Sequence, residues 1–503
     1  MSNSTPNMIL RLCFPSTSDN SIPVSSTLQH IRTPIHSLND DVLLEIFTVC
    51  RDVDPLSPWT LSQTCRGWRA LTLAHSSLWN NIILDRSSAE RLGHRCLLRW
   101  LHLWLSRSGR GQALDIVIDL HDFNVWVDAA YSRSADDKAS ARDIHEALRA
   151  VCNQAHRWRS FTYLLGGSAK VHWKPYLDQS DWEMIGKFSS MPFLRSITLQ
   201  QGPEETIDGL TPQYIHYFFE ITEAAPSLRS ISLVNIESSG IHSNWDVHEL
   251  SYSITDHRME GSAHVLSTIR AYPSLHSLQL SGSGWFAATN TEEDRVVLGQ
   301  LKRLTLEPSA LMSKTLFFVG MPLLSELTLD TRDMARQDVF TTTFLDHLAL
   351  QPHLLLTKLV LYLSFQDVPW TQIVRLSTVE FLHIVKPIKD SFWDRSPSNL
   401  SVLYKKIKLP DGTQSWRLPR LHTVVLEATK PYGSISDEFV AGWRQCAVAT
   451  KQLFMNRWET SMKSGGMLAP LAIDLIGPTW KFEIRHTNQS SNKTGDGRQV
   501  EPI

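Results

Sequence analysis

A six-residue pattern, Leu-x-x-Leu/Ile-x-Leu, recurs between residues 194 and 426 and constrains the fold of this chain more than any other feature. Six copies begin at Leu194, Leu228, Leu275, Leu301, Leu324 and Leu356, a seventh at Leu421 has valine at its fourth position, and a degenerate eighth begins at Val379. Within each copy, apolar residues alternate with other residues, as is typical of a β-strand with one buried face. A single short strand cannot bury its leucines alone, so the copies must stack to form a continuous core.

The intervals between copies are uneven. The first leucines of neighbouring copies are 23 residues apart at Leu301 and Leu324 and 47 apart at Leu228 and Leu275. The shorter intervals fit one leucine-rich repeat, and the longer ones predict insertions or extra helices, including helices over 212–225 and 262–271. We therefore predict an α/β chain whose residues 161–484 form an irregular leucine-rich-repeat solenoid of parallel strands with helices or loops. The alternative is an ordinary α/β domain with leucine-rich strands, but the proline shared by several copies disfavours it.

The residues between the apolar positions are expected to face outward, because successive side chains of a strand alternate between its two faces. In the early copies these residues are small and neutral, such as Ser196 and Ser230, which fits strand propensity on a solvated face. The later copies carry charged and aromatic side chains, which are better anchors for a partner. Our candidates for target binding are Arg303, Glu326, Lys358, Phe381 and His383.

Before the repeats, residues 35–84 show the signals of a small helical unit. Asn39 can cap a helix, and Asp40 and Asp41 suit its positive end. A second helix is predicted where apolar residues recur from Leu61 to Leu71. A unit of about 50 residues is marginal alone, so an apolar partner for these helices is physically reasonable.

This segment resembles an F-box. The resemblance is carried by Ile35-His-Ser-Leu-Asn-Asp-Asp-Val-Leu-Leu-Glu-Ile-Phe47, then Leu61-Ser-Gln-Thr-Cys-Arg-Gly-Trp-Arg-Ala-Leu71, then Ser77-Leu-Trp79. Asn39 departs from the family, which usually has proline there, but asparagine can cap the helix instead. The resemblance implies that the F-box core and adaptor-binding residues are Leu38, Val42, Leu43, Ile46, Phe47, Leu61, Cys65, Trp68, Leu71, Leu78 and Trp79. The alternative is an unrelated helical hairpin whose tryptophans are core.

The next segment, residues 85–160, is expected to be a helical linker that leads into the repeats. A strongly apolar helix is predicted over Leu97 to Leu105 and a short strand over Leu114 to Ile118. Together with His156-Arg-Trp-Arg-Ser160, this stretch resembles the F-box-like group expanded in mushroom-forming fungi. Residues 1–34 and 485–503 are rich in polar residues and are expected to be disordered tails.

Composition excludes several classes of function. With 49 basic and 51 acidic residues the formal net charge is −2, so nucleic acid is not an expected partner. The six cysteines have no zinc spacing, and no phosphate-binding loop, metalloprotease motif or nucleophile elbow is present. No stretch is long enough to span a membrane, and no export signal is evident. We expect a cytoplasmic or nuclear protein that is not an enzyme and needs no cofactor or metal.

The resemblance to an F-box, together with the leucine-rich repeats that follow it, implies a substrate-recognition subunit of an SCF-type cullin-RING ubiquitin ligase. In this interpretation the F-box binds the Skp-family adaptor, and through it the cullin, while the repeats bind a target protein. Two alternatives stay open. The chain could be a repeat scaffold unconnected with ubiquitination, or an enzyme whose active site is assembled from distant residues.

Overall fold

The computed structural model describes part of the chain. The described residues are 35, 38–92, 94–119, 146–165, 191–201, 225–236, 245–254, 268–282, 296–307, 319–331, 338–351, 353–363, 368–387, 406–408, 414–416, 418, 420–429, 472–477 and 480–484. Both predicted tails, residues 1–34 and 485–503, lie outside them. The chain divides into two compact units, residues 1–72 and 73–503.

The first unit contains helices α1 (Asp40–Val53), α2 (Ser57–Thr64) and most of α3 (Arg66–Ala74). Asn39 caps α1 as predicted, because its side chain accepts a hydrogen bond from the Asp41 amide. On the inner face of α1, Leu43 and Phe47 are buried. The Phe47 ring packs edge-on against Trp68 of α3, with 5.0 Å between ring centroids.

The prediction of one helix from Leu61 to Leu71 was wrong, because the chain breaks at Cys65. This residue is fully extended, with φ of −154° and ψ of 170°, so α2 ends before it and α3 begins after it. The Cys65 sulfur accepts a hydrogen bond from the Trp68 amide at 3.4 Å and thereby caps α3. Arg69 then ties α3 back to α2 by donating to the Ser62 carbonyl at 2.9 Å.

The second unit is built on a 14-stranded sheet in which the strands follow one another in chain order. Its strands are β1 (Asn81–Leu84), β2 (Leu114–Asp119), β3 (Trp158–Leu165), β4 (Ser196–Gln201), β5 (Ser230–Val234), β6 (Glu249–Ile254), β7 (Ser277–Gly282), β9 (Arg303–Leu306), β11 (Glu326–Asp330), β12 (Lys358–Tyr362), β13 (Phe381–Pro387), β16 (Thr423–Thr429), β17 (Ala472–Gly477) and β18 (Trp480–Ile484). Neighbouring strands are parallel throughout, except that β18 runs antiparallel to β17. The protein is thus a mixed α/β chain whose sheet order is that of a solenoid.

All eight copies of the sequence pattern form strands of this sheet, as predicted. Seven of the eight copies start with a tight turn that brings the first apolar residue into the core, and the copy at Leu356 is the exception. In copy after copy the amide of this residue donates to the carbonyl three residues earlier, as from Leu194 to Met191 at 3.2 Å and from Leu324 to Met321 at 3.2 Å. The apolar strand residues that follow, such as Leu327 and Leu329, are fully buried. Stacked leucines from successive strands therefore form the core.

The longest interval between copies contains an additional strand, β6, that the sequence pattern did not reveal. It lies between β5 and β7 and pairs in parallel with both. Its inward positions are occupied by Leu250, Tyr252 and Ile254, all buried, and the buried Val247 stands where other copies have leucine. The expected insertion is thus partly a further layer of the sheet, in which valine and tyrosine replace leucine.

The shorter elements lie between these strands. The helices are α4 (Arg86–Leu92), α5 (His94–Arg107), α6 (Asp338–Ala349) and α7 (Trp370–Ile373), and residues 146–152 and 268–271 are also helical. Strands β8 (Val296–Val297) and β10 (Val319–Gly320) pair in parallel, and β14 (Lys406–Lys408) and β15 (Gln414–Trp416) pair antiparallel. Of the two predicted repeat helices, residues 268–271 confirm the end of one. The other lies outside the described residues apart from Ala225.

The first layers of the second unit are closed by aromatic packing. The predicted apolar helix is confirmed as α5, and its Trp104 lies 4.5 Å, centroid to centroid, from Trp79. The Arg107 guanidinium lies 4.4 Å from the centre of the Trp79 ring. Residues 35–84 were expected to be all helical, but Asn81–Leu84 form β1 and pair with β2. The side chains of β1 alternate between half-buried and buried, which is the periodicity of a strand and not of a helix.

Arg157 fixes the loop between α5 and β2. Its side chain is buried and donates to the Gln112 carbonyl at 3.0 Å, the Ser108 hydroxyl at 2.8 Å and the Gly109 carbonyl. The His156-Arg-Trp-Arg-Ser160 sequence thus has a structural role, since the neighbouring Trp158 is also buried and stacks on Phe161.

Replacing Arg157 by methionine is expected to lower the free energy of unfolding by roughly 2 to 4 kcal/mol, because buried acceptors would lose their donor. Urea denaturation followed by circular dichroism measures this effect. The control is Arg99→Met, a change at an exposed arginine of α5, which is expected to leave stability nearly unchanged. Equal stability of the Arg157 variant and the wild type would contradict this role.

Candidate functional site

An apolar stripe lies on the outer face of α1. Val42, Ile46, Val49 and Val53 are exposed by 47, 37, 56 and 81% although all four are aliphatic. Their spacing of four, three and four residues places them along one side of the helix. We call these four residues the α1 stripe. A contiguous row of exposed aliphatic side chains is typical of a surface that binds another protein.

The structure separates the predicted F-box residues by burial. Leu38, Val42 and Ile46 are exposed, whereas Leu43, Phe47, Leu78 and Trp79 are buried and the remaining Leu61, Cys65, Trp68 and Leu71 are half-buried. The division of the chain also places Leu78 and Trp79 in the second unit, where Trp79 packs on α5. Sequence reasoning missed Val49 and Val53, although their helical spacing from Val42 and Ile46 was visible.

A second surface lies on the outward face of the sheet. Four of the five predicted target-binding residues occupy the same register position on neighbouring strands, in the order Arg303, Glu326, Lys358 and Phe381. We call these four residues the outward row. Strands of a sheet are about 4.8 Å apart, so the row spans about 14 Å. His383 lies two residues along β13 from Phe381, on the same face.

The charges of the outward row pair with carboxylates across the strands. Lys358 Nζ lies 3.2 Å from Glu326 Oε2, and Arg303 lies 3.0 Å from Glu249 Oε1, two strands away. All four side chains remain about half exposed. Exposed ion pairs of this kind contribute only about 0 to 1 kcal/mol to stability. Little free energy is therefore lost when these side chains pair with charges of a partner instead. Lys358 also lies 5.9 Å from the centre of the Phe381 ring.

His383 has a more enclosed environment than the outward row. Its Nε2 lies 3.0 Å from Glu427 Oε2, and its side chain is only 19% exposed. Burial lowers the pKa of His383 below the usual value for histidine, although the hydrogen bond to Glu427 opposes this change. Nearby on the same face, Val360 and Val425 are buried. The accessible part of this surface therefore centres on the outward row and not on His383.

Sequence reasoning also missed the acidic partners of this surface. Glu249 belongs to β6, the strand whose sequence departs from the repeat pattern, so its register opposite Ser277 and Arg303 was not evident. Glu427 follows the last residue of its copy and lies outside the six-residue pattern. Among the described residues, no group of three or more metal-ligating side chains lies together. No helix within the described ranges is long and apolar enough to cross a membrane.

Comparison with known proteins adds no family assignment. No family model matches the chain, and none of the curated proteins matches it.

Proposed function

We propose that this protein is a substrate-recognition subunit of an SCF-type cullin-RING ubiquitin ligase, with an N-terminal F-box and C-terminal leucine-rich repeats. The observation that carries the proposal is the α1 stripe. It lies on the helix whose sequence resembles the start of an F-box, and its side chains are exposed while Leu43 and Phe47 pack inward. A Skp-family adaptor would cover this stripe and remove its aliphatic surface from water.

The second unit supports the target-binding half of the proposal. Its strands carry the Leu-x-x-Leu-x-Leu sequence, stack in chain order and present the outward row to solvent. Each layer buries its leucines against neighbouring layers, which is the physical basis of a leucine-rich repeat. The target would bind across several layers at Arg303, Glu326, Lys358 and Phe381, with His383 at the margin.

In this proposal the protein acts by tethering. Binding of the adaptor at α1 and of the target at the sheet raises the effective concentration of target lysines near the ubiquitin-charged enzyme. No covalent step takes place on this chain, so it needs neither cofactor nor metal. We also propose a cytoplasmic or nuclear location. The four described cysteines carry no disulfide, in keeping with a reducing compartment.

Changing Lys358 to glutamate and Phe381 to alanine together is expected to reduce target capture by about tenfold or more, because charged and aromatic anchors dominate protein interfaces. The measurement is affinity purification of the full chain from cells under proteasome inhibition, with the captured proteins quantified by mass spectrometry. The matched control is Arg99→Glu with Leu350→Ala, a charge reversal and an apolar truncation at exposed positions outside both the outward row and its neighbouring strands.

Retention of adaptor by both variants serves as the folding check. Unchanged capture by the Lys358 and Phe381 variant, or an equal loss of capture by the control variant, would place the binding surface elsewhere.

A further inference from the structure

Six basic side chains occupy equivalent positions at the start of six successive strands. They are Arg159, Arg195, Arg229, His248, His276 and Lys302. Arg159 is the second residue of β3, and each of the others directly precedes the first residue of its strand, which is β4, β5, β6, β7 or β9. We call these six residues the basic column. Lys and Arg number 49 and His 20 among 503 residues, so six in succession at one position is unexpected for an ordinary surface.

Backbone hydrogen bonds fix the alignment of the basic column. The Arg195 amide donates to the Arg159 carbonyl at 2.7 Å, and the same bond recurs from Arg229 to Arg195 at 2.9 Å. It continues from His248 to Arg229, from His276 to His248 and from Lys302 to His276, at 2.8 to 2.9 Å. The next three residues in the series, Ser325, Thr357 and Glu380, are not basic, and they separate the basic column from His422, the residue after them. The basic column therefore begins and ends within one part of the sheet.

The charges within the basic column are unequally compensated. Arg159 pairs with Asp115, while Asp246 lies 3.6 Å from Arg229 and 3.2 Å from His248. Arg195 and Lys302 are exposed and form no ion pair with any residue that the structure describes. Uncompensated positive charge is thus concentrated at two places, four strand intervals or about 19 Å apart.

Beside the basic column, the first outward position of the strands carries small hydroxyl residues. Ser160, Ser196, Ser230 and Ser277 are in register there, interrupted by Glu249 on β6. Small side chains leave space for a partner's backbone, and their hydroxyls can donate or accept hydrogen bonds. A bound segment could therefore lie across the strands next to the basic column.

We propose that the basic column binds an acidic segment of a partner protein, with aspartate or glutamate side chains at both ends of a stretch of about six residues. An extended chain advances about 3.3 Å per residue, so such a stretch matches the distance between Arg195 and Lys302. Asp246 in the middle disfavours a uniform polyanion such as nucleic acid, because one of its phosphates would lie opposite this carboxylate. The charges of the basic column are exposed and spread over several strands. This arrangement differs from a site for one phosphate group, in which buried arginines surround a single anion.

The identity of this partner as a ubiquitination target rests on the proposed function, whereas the binding itself does not. The test measures fluorescence anisotropy of the labelled peptide Glu-Glu-Ser-Ser-Ser-Ser-Glu-Glu with the purified full chain at low ionic strength. Arg195→Glu with Lys302→Glu is expected to weaken binding by about tenfold or more, because both changes replace attraction by repulsion. The matched control, Arg99→Glu with Arg420→Glu, changes two exposed arginines outside the basic column and is expected to retain wild-type affinity.

Three further probes separate the alternatives. They are the same peptide with glutamine in place of glutamate, that glutamine peptide with one phosphoserine, and a single-stranded DNA octamer. The proposal predicts that the glutamate peptide binds the wild type most tightly. It is overturned if that peptide does not bind, if the Arg195 and Lys302 variant binds it as well as the wild type, if the control loses as much affinity, or if any other probe binds as tightly or more tightly.

Adaptor capture by the same variants distinguishes this inference from the proposed function. Loss of peptide binding with intact adaptor capture is the expected result for the Arg195 and Lys302 variant. A wild-type chain that captures adaptor but ignores the glutamate peptide overturns only the present inference. A chain that binds the peptide through the basic column but never captures adaptor overturns only the proposed function.

Discussion

Replacing Val42, Ile46 and Val49 by serine is expected to weaken binding of a purified Skp-family adaptor by about 100-fold or more. Each side chain is roughly half exposed in the free chain, and covering it contributes about 1 kcal/mol, so three together contribute about 3 kcal/mol. Serine, valine and isoleucine have similar helix propensities, so α1 itself should be little affected. Isothermal titration calorimetry with the full chain measures the change in Kd.

The matched control removes the same kind of surface elsewhere. Val297, Leu350 and Leu355 are exposed by 60, 70 and 52%, and their replacement by serine should leave adaptor binding unchanged. An unchanged circular dichroism spectrum confirms that both variants are folded. If the α1 variant binds adaptor with wild-type affinity, the stripe is not the docking surface. If the control variant loses affinity equally, the loss reflects general removal of apolar surface.

Replacing Gly282 by alanine is expected to lower the free energy of unfolding by roughly 2 to 5 kcal/mol. Gly282 has a φ of +126°, which side-chain-bearing residues rarely adopt. An added Cβ would also collide with the backbone of Ile254 on the neighbouring strand, within 2.7 Å of its nitrogen. The end of β7 can therefore approach β6 this closely only with glycine at the position.

Urea denaturation of the full chain measures this loss, and Gly299→Ala is the control. A Cβ at Gly299 would meet no atom within 4 Å, and its φ lies outside the positive region, so its stability should stay within about 1 kcal/mol of the wild type. Wild-type stability of the Gly282 variant would show that β6 and β7 can separate at this point without loss.

The strands of the second unit could be predicted because each copy repeats one requirement. Leucines at fixed positions must be buried against the next layer, and the same periodicity fixes which residues face outward, as for Lys358 and Phe381. Strand β6 was missed because Val247 and Tyr252 satisfy the same requirement without leucine. A search for the pattern finds only leucine and isoleucine at the inward positions. The core itself requires only an apolar side chain of suitable size at each of these positions.

The N-terminal unit shows a different limit. The cap at Asn39 placed the start of α1 correctly, but the sequence could not say which apolar face of the helix is internal, because Leu43 and Phe47 are as apolar as Val42 and Ile46. Only the packing of Phe47 on Trp68 resolves this ambiguity. The break at Cys65 was also missed. The apolar residues on both sides of it have the sequence spacing of one continuous helix, although two helices meet there. The basic column was missed because its alignment depends on strand register.

The most direct test of the proposed function is assembly from purified components. The full chain is mixed with a Skp-family adaptor, a cullin and its RING subunit, and the mass of the product is measured by size-exclusion chromatography with light scattering. A substrate receptor predicts one complex that contains each of the four chains once. Formation of a complex with the adaptor but without the cullin would support a scaffold instead, and failure to bind the adaptor at all would contradict the account.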